Sequence, residues 1–267
     1  MKQLYKRMPV FYGIVTGVGV SVFFILFEYF LVATGISECG LLVDSCLRVI
    51  IGVIALLLMK QIYREQFTKL FIAKIPKSTW VYCIPLFLYL AIEFLHLPIS
   101  ERLTTAYISG FLLSCVQQLA TGFWEEAASK GLVMSGMLLK WNNSTKGRIG
   151  MVSVTGLLFG AAHILNVVFG NDIISCLWNA LFSAAFGMFL ASIYLHSGNI
   201  TLCMVIHAVW DIIIRVDRYF CVDIQEGVIL EFINISHWIL ELIIFPMVAI
   251  KICMSKDKEI QKGTHTL

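Results

Sequence analysis

Eight apolar stretches, each near the length that crosses a bilayer, divide this 267-residue chain. They run over 10–34, 41–59, 80–97, 104–139, 149–169, 173–195, 199–216 and 228–254. About 20 apolar residues are needed to span the hydrocarbon core as a helix. The composition agrees, with 59% hydrophobic and 14% charged residues, against roughly 45–50% and about 25% in soluble domains. The expected fold is all-α, a polytopic membrane helix bundle of about eight transmembrane helices. No polar stretch is long enough for a soluble domain, so residues 1–267 are read as a single membrane domain with a motif core at 104–217 and a polar, loose tail at 255–267. The first stretch is too long for a signal-peptide core, and no small-residue cleavage site follows it, so no cleavable leader is expected. The eight cysteines show no CxxC spacing and read as small core residues, with Cys39, Cys46 and Cys221 near one face.

Charges between the stretches orient the bundle. Lys2, Lys6 and Arg7 precede the first, and Lys60, Arg64, Lys69, Lys74 and Lys77 separate the second from the third. Lys140, Lys146 and Arg148 separate the fourth from the fifth, and Lys251, Lys256, Lys258 and Lys262 close the chain. With eight crossings, all of these fall on one side. The remaining loops are acidic or mixed, with Glu38 and Asp44, Glu101 beside Arg102, Asp172, and Arg215 to Glu226. A multi-pass protein of the plasma membrane with both termini cytoplasmic is expected.

The fourth stretch carries the sequence Phe123-Trp124-Glu125-Glu126-Ala127-Ala128-Ser129-Lys130. Ionisable groups within hydrocarbon are costly and therefore functional candidates. At about 36 residues the stretch would run roughly 54 Å as a helix, well beyond a bilayer core. It must tilt, protrude or break, with Thr121 and Gly122 as the expected weak point. Gly131, Ser135 and Gly136 offer small surfaces for close helix packing.

Two further polar pairs lie within apolar stretches: His163 with Asn166, and His207 with Asp211. On a helix, Glu126 and Lys130 share a face, as do His207 and Asp211. Glu125 and Glu126 point about 100° apart and so are expected to serve different roles. Glu126 is placed to pair with Lys130, which leaves Glu125 for another partner. Counted from the basic ends, Glu125 and His163 both lie roughly 22 Å along their helices and His207 roughly 12 Å along its own; tilt and the true helix ends can close that gap, so the three sites can converge. Gly156, Gly160, Ala161 and Ala162 leave room beside them for a neighbouring helix or a substrate. A carboxylate in such a site can take a proton from water, and imidazoles with an amide or second carboxyl can orient that water or stabilise an oxyanion. The same Glu125, His163 and His207 could ligate a divalent metal, although HExxH spacing is absent. Other polar groups in the stretches have no motif around them. Glu28, Arg48, Glu93, His96 and the stripe Asn234, His237 and Glu241 read as structural, and Phe159 as packing or a cavity wall.

At these residues the chain resembles the CPBP family of CAAX proteases and bacteriocin-processing or self-immunity (Abi) proteins. The family pattern EExxxR, FxxxH and HxxxN or HxxxD reads here as Glu125-Glu126 to Lys130, Phe159 to His163, and His207 to Asp211, over roughly a third of the chain. The resemblance implies an intramembrane endopeptidase reached from the cytoplasmic side. Glu125 would activate water, His163 would orient it, and His207 with Asp211 would form the oxyanion side. Glu126, Lys130 and Asn166 would support them. It implies a peptide or protein substrate, such as a prenylated protein or a bacteriocin precursor, within a lipid bilayer; nucleic acid is not expected. No cofactor is expected, with a divalent metal as the alternative. Lys130 in place of arginine loses the bidentate fork, and Asp211 in place of asparagine cannot donate when ionised. Asp211 would then be protonated, or would hold the His207 ring. Two other classes fit the same residues: a catalytically relaxed membrane regulator or bacteriocin-immunity partner, and a proton translocator using the Glu and His groups as relays.

Overall fold

The computed structural model describes residues 5, 7–34, 40–96, 105–216, 219 and 228–264, and among them there are helices and no strand. The helices are α1 Pro9–Ala33, α2 Leu41–Ile62, α3 Arg64–Lys69, α4 Lys77–Tyr82, α5 Ile84–His96, α6 Thr105–Glu126, α7 Ser135–Trp141, α8 Thr145–Ile164, α9 Ile173–Ser197, α10 Ile200–Ile213, α11 Val228–Trp238 and α12 Phe245–Thr264. Among the described residues, five segments are long and apolar enough to cross a membrane: Pro9–Ala33, Leu41–Ile62, Thr145–Phe169, Ile173–Ser197 and Ile233–Ser255. Ile84–Phe94 and Ile200–Ile213 are shorter apolar helices. Together with the broken helix from α6 through α7, these correspond to the eight apolar stretches. Large apolar side chains such as Phe23, Leu26, Leu57, Leu112 and Ile174 point outward, as lipid contact requires.

The fourth stretch does break, but not at Thr121 and Gly122. Gly122 instead lies in close contact with α10, where a Cβ would meet the Met204 carbonyl oxygen at 2.7 Å. The irregularity begins directly after Glu126, where Ala127–Met134 form a π-helical stretch leading into α7. Serine hydroxyls serve the loosened carbonyls: Ser129 Oγ donates to Glu125 O at 2.8 Å and Ser135 Oγ to Lys130 O at 3.4 Å. Widened turns of this kind are frequent at functional sites. The third stretch is also divided, at Cys83 between α4 and α5, because Pro85 has no N–H to donate and crowds the preceding turn. The polar tail is helical through Thr264 rather than loose, since 255–262 is rich in Lys, Glu and Gln, which favour helix. Cys39, Cys221, the charged loop residues at 101–102 and 217–226, and the His96 side chain lie outside the described residues; Cys46 is an exposed free thiol.

The glycines and alanines of α8 divide their work. A Cβ on Gly156 would meet Ala184 O at 2.6 Å, and one on Gly160 would meet Ala184 N at 2.9 Å. These glycines let α8 and α9 touch backbone to backbone, whereas Ala161 and Ala162 line a cavity.

The two ends of the bundle differ in chemistry. At one end lie the basic segments. Tyr63 Oη donates to Pro9 O, and Arg148 donates to Asn142 O and Cys253 O. The 63–76 connector seats the start of α10, with Ile200 N donating to Leu70 O at 3.0 Å and Asn199 Nδ2 to Ala73 O at 2.9 Å. At the other end Arg48 pairs with Glu28 at 2.9 Å and Asp44 at 2.8 Å, Gln117 donates to Asp44, and Tyr29 meets Phe169 edge to face.

Candidate active site

Glu125 and Glu126 end α6 where the backbone begins to widen, and they face different surroundings. Glu126 is fully buried, with Oε1 3.1 Å and Oε2 3.0 Å from Nζ of the equally buried Lys130. Its Oε1 is also 3.0 Å from His207 Nδ1, reaching across from α10. An ionised carboxylate only accepts, so Nδ1–H donates to Glu126 and Nε2 is left for the other side of the ring. There Glu125 Oε2 stands 3.6 Å away and Asp211 Oδ2 4.0 Å away. Both are charge contacts longer than a hydrogen bond. Glu125 remains 16% exposed.

Asp211 sits one turn after His207 and is held from its far side. Arg215 Nη1 lies 3.4 Å from its Oδ1 and 3.1 Å from its backbone oxygen. Helix α10 ends at Ile213, which lets the arginine fold back over the last turn. The i,i+4 spacing of Arg215 from Asp211 is the sequence signal for this pairing.

His163 lies near the end of α8, with Nδ1 3.0 Å from Phe159 O, one turn back. A carbonyl oxygen only accepts, so Nδ1–H is committed and Nε2 presents a lone pair in the neutral ring. Between the two histidines stands Phe159, its ring centre 5.1 Å from His163 and 5.6 Å from His207. Lys130 Nζ is 5.3 Å from the same ring centre, a cation–π arrangement. Phe159 is thus a wall that spaces the imidazoles and screens the buried ion pair.

Glu125, His163, Asn166, His207 and Asp211 all line one cavity of about 890 Å³. Asn166 belongs to the short 3-10 turn Leu165–Phe169 that follows α8. Glu126 and Lys130 are not on the cavity wall and support it from behind. The cavity is lined from the middle of the bundle to the end that carries Glu28, Arg48, Asn171 and Arg215. That end is opposite to the basic segments.

The polar groups without motifs pair as well. Glu28 is held by Arg48, and Glu93 Oε2 lies 3.4 Å from His237 Nδ1. Had the protein a metal, Glu125, His163 and His207 would be its ligands. Among the described residues, however, no group of three or more His, Cys, Asp or Glu side chains is arranged to hold one.

Residues 105–213 match the family model of the Rce1-like type II CAAX prenyl endopeptidases. The matched segment includes every motif residue from Glu125 to Asp211 and bears out the resemblance to CPBP intramembrane proteases. It points to a CAAX-protease-like peptidase acting on a peptide or protein substrate at the membrane. No curated protein and no solved structure matches the chain.

Proposed function

We propose that this chain is an intramembrane endopeptidase in which Glu125 activates water for attack on a peptide carbonyl. The observation that carries the reading is the meeting of Glu125, His207 and Asp211 within 3.6 to 4.0 Å on the wall of a cavity that His163 also lines. Water bound between Glu125 and His163 gives one hydrogen bond to the carboxylate and one to His163 Nε2. Its oxygen attacks the carbonyl carbon while its proton passes to Glu125. The developing oxyanion takes a hydrogen bond from His207 Nε2–H in the imidazolium form, the ring being anchored by Glu126 at Nδ1. As the C–N bond breaks, Glu125 returns the proton to the leaving amine. Asp211 acts through charge on the His207 ring, with Arg215 fixing its carboxylate, and need not donate.

The side of access follows from two supports. Positive-inside orientation puts the basic segments, and both termini, in the cytoplasm. The cavity is lined toward the opposite end, at Glu28, Asn171 and Arg215. The sequence led to an expectation of cytoplasmic termini and cytoplasmic access; with cytoplasmic termini, this lining favours a substrate that enters from the non-cytoplasmic face. A prenylated protein is made on the cytoplasmic side; a secreted peptide precursor is met on the other and fits this arrangement.

The test is cleavage of a peptide library by purified protein. Glu125→Ala and His163→Ala each lower kcat/KM by about a hundredfold or more while the protein stays folded. Two folded variants that cleave like the unaltered protein would end this reading.

A further inference from the structure

The cavity has a second polar end that the chemistry above does not use. Glu241 sits in the π-helical turn Ile239–Ile244 between α11 and α12, 7% exposed and on the cavity wall. Among the described residues it makes no hydrogen bond and no ion pair. Asn234 and His237, two turns and one turn before it, line the same cavity. A buried carboxyl without a partner is unfavourable and is normally paired or hydrogen-bonded. Glu241 faces the cavity, so a group that enters it can supply the missing partner.

The charges around it say what that partner is. Among the described residues, Glu28, Glu125, Asp211 and Glu241 line the cavity against Arg48 and Arg215, with no lysine on the wall. Both guanidiniums are already engaged, Arg48 by Glu28 and Asp44 and Arg215 by Asp211. Glu125 faces His207 and serves the water. Glu241 is the carboxyl left to meet a cation.

Resting on the endopeptidase reading, we propose that Glu241 forms a specificity subsite that takes a basic side chain, lysine or arginine, of the peptide substrate. A ladder of rings links this subsite to the reaction centre. His237 stacks on Tyr89 at 4.1 Å, Tyr89 on Trp210 at 4.1 Å, Trp210 on Phe186 at 4.5 Å, and Phe186 meets His207 edge to face at 5.6 Å. At about 3.4 Å per extended residue, the ladder is crossed by roughly five residues of peptide. The basic residue therefore falls within about five positions of the bond that is cut.

The probes are two peptide series in detergent micelles, alike except that lysine or norleucine occupies each position near the scissile bond in turn. At one position the unaltered protein prefers lysine by about tenfold in kcat/KM. Glu241→Gln abolishes that preference. Absence of any lysine preference, or its persistence in Glu241→Gln, overturns the subsite. A binding arm keeps the two readings apart. The Glu125→Ala protein binds the lysine peptide more tightly than the norleucine peptide, and Glu125→Ala combined with Glu241→Gln does not. Discrimination in binding with no cleavage of any peptide would sustain the subsite and defeat the endopeptidase reading. Cleavage without discrimination in either arm would do the reverse.

Discussion

Two adjacent glutamates differ here because a helix turns them to different neighbours. Glu126 is fixed by Lys130 on its own helix and by His207 on another, while Glu125 is left facing the cavity. Removing one member of a buried ion pair strands the other charge and costs about 3–5 kcal/mol, whereas replacing both with apolar groups of similar volume is often neutral. Lys130→Met should therefore lower stability by about that amount, and Glu126→Met with Lys130→Met should restore most of it, as read by thermal unfolding in detergent. Cleavage should stay lost in the double variant, because His207 Nδ1 no longer has its acceptor. The i,i+4 spacing made the Glu126–Lys130 pair legible in the sequence. The His207 bond was not, since its partner stands 81 residues away on another helix. For the same reason Glu28, Arg48, Glu93 and His237 could be recognised as groups needing partners, but their pairing as Glu28–Arg48 and Glu93–His237 required the packed helices.

At the scale of the element, small residues decide how near the helices come. A larger side chain at Gly160 would drive into Ala180 and Ala184 of α9. Gly160→Val should destabilise the bundle by at least about 1–3 kcal/mol, as overpacking does. Gly19→Val, at a glycine with open space around it, should be near neutral; equal folded yields of the two variants would contradict this account. Apolar stretches revealed the helices because each must cover its length with hydrocarbon-compatible side chains. Their interruptions were harder to see. The need for a break in the fourth stretch followed from its length, but its position did not. Gly122 suggested a weak backbone, whereas its missing side chain serves contact with Met204 and Ala208. The widened turn at 127–134 instead depends on how Ser129 and Ser135 meet carbonyls four and five residues back.

For the whole molecule, the consequence of greatest reach is the opposition between basic segments and cavity. In intact cells, a membrane-impermeant thiol reagent should label Asn171→Cys and leave Lys74→Cys unlabelled until the cells are opened, in a background where the exposed Cys46 is replaced. The reverse pattern would place the cavity on the cytoplasmic side. The 63–76 connector at the basic end also acquires a meaning that its composition does not suggest. Leu70 and Ala73 pin residues 199 and 200, and only one short helix separates that anchor from His207 and Asp211. The connector thus serves as a gauge for the depth and rotation of the imidazole. One residue added between Asn199 and His207 would turn the ring by about 100° and shift it by about 1.5 Å. A segment at the membrane surface, far from Glu125 and His163, sets the alignment on which the proposed chemistry depends.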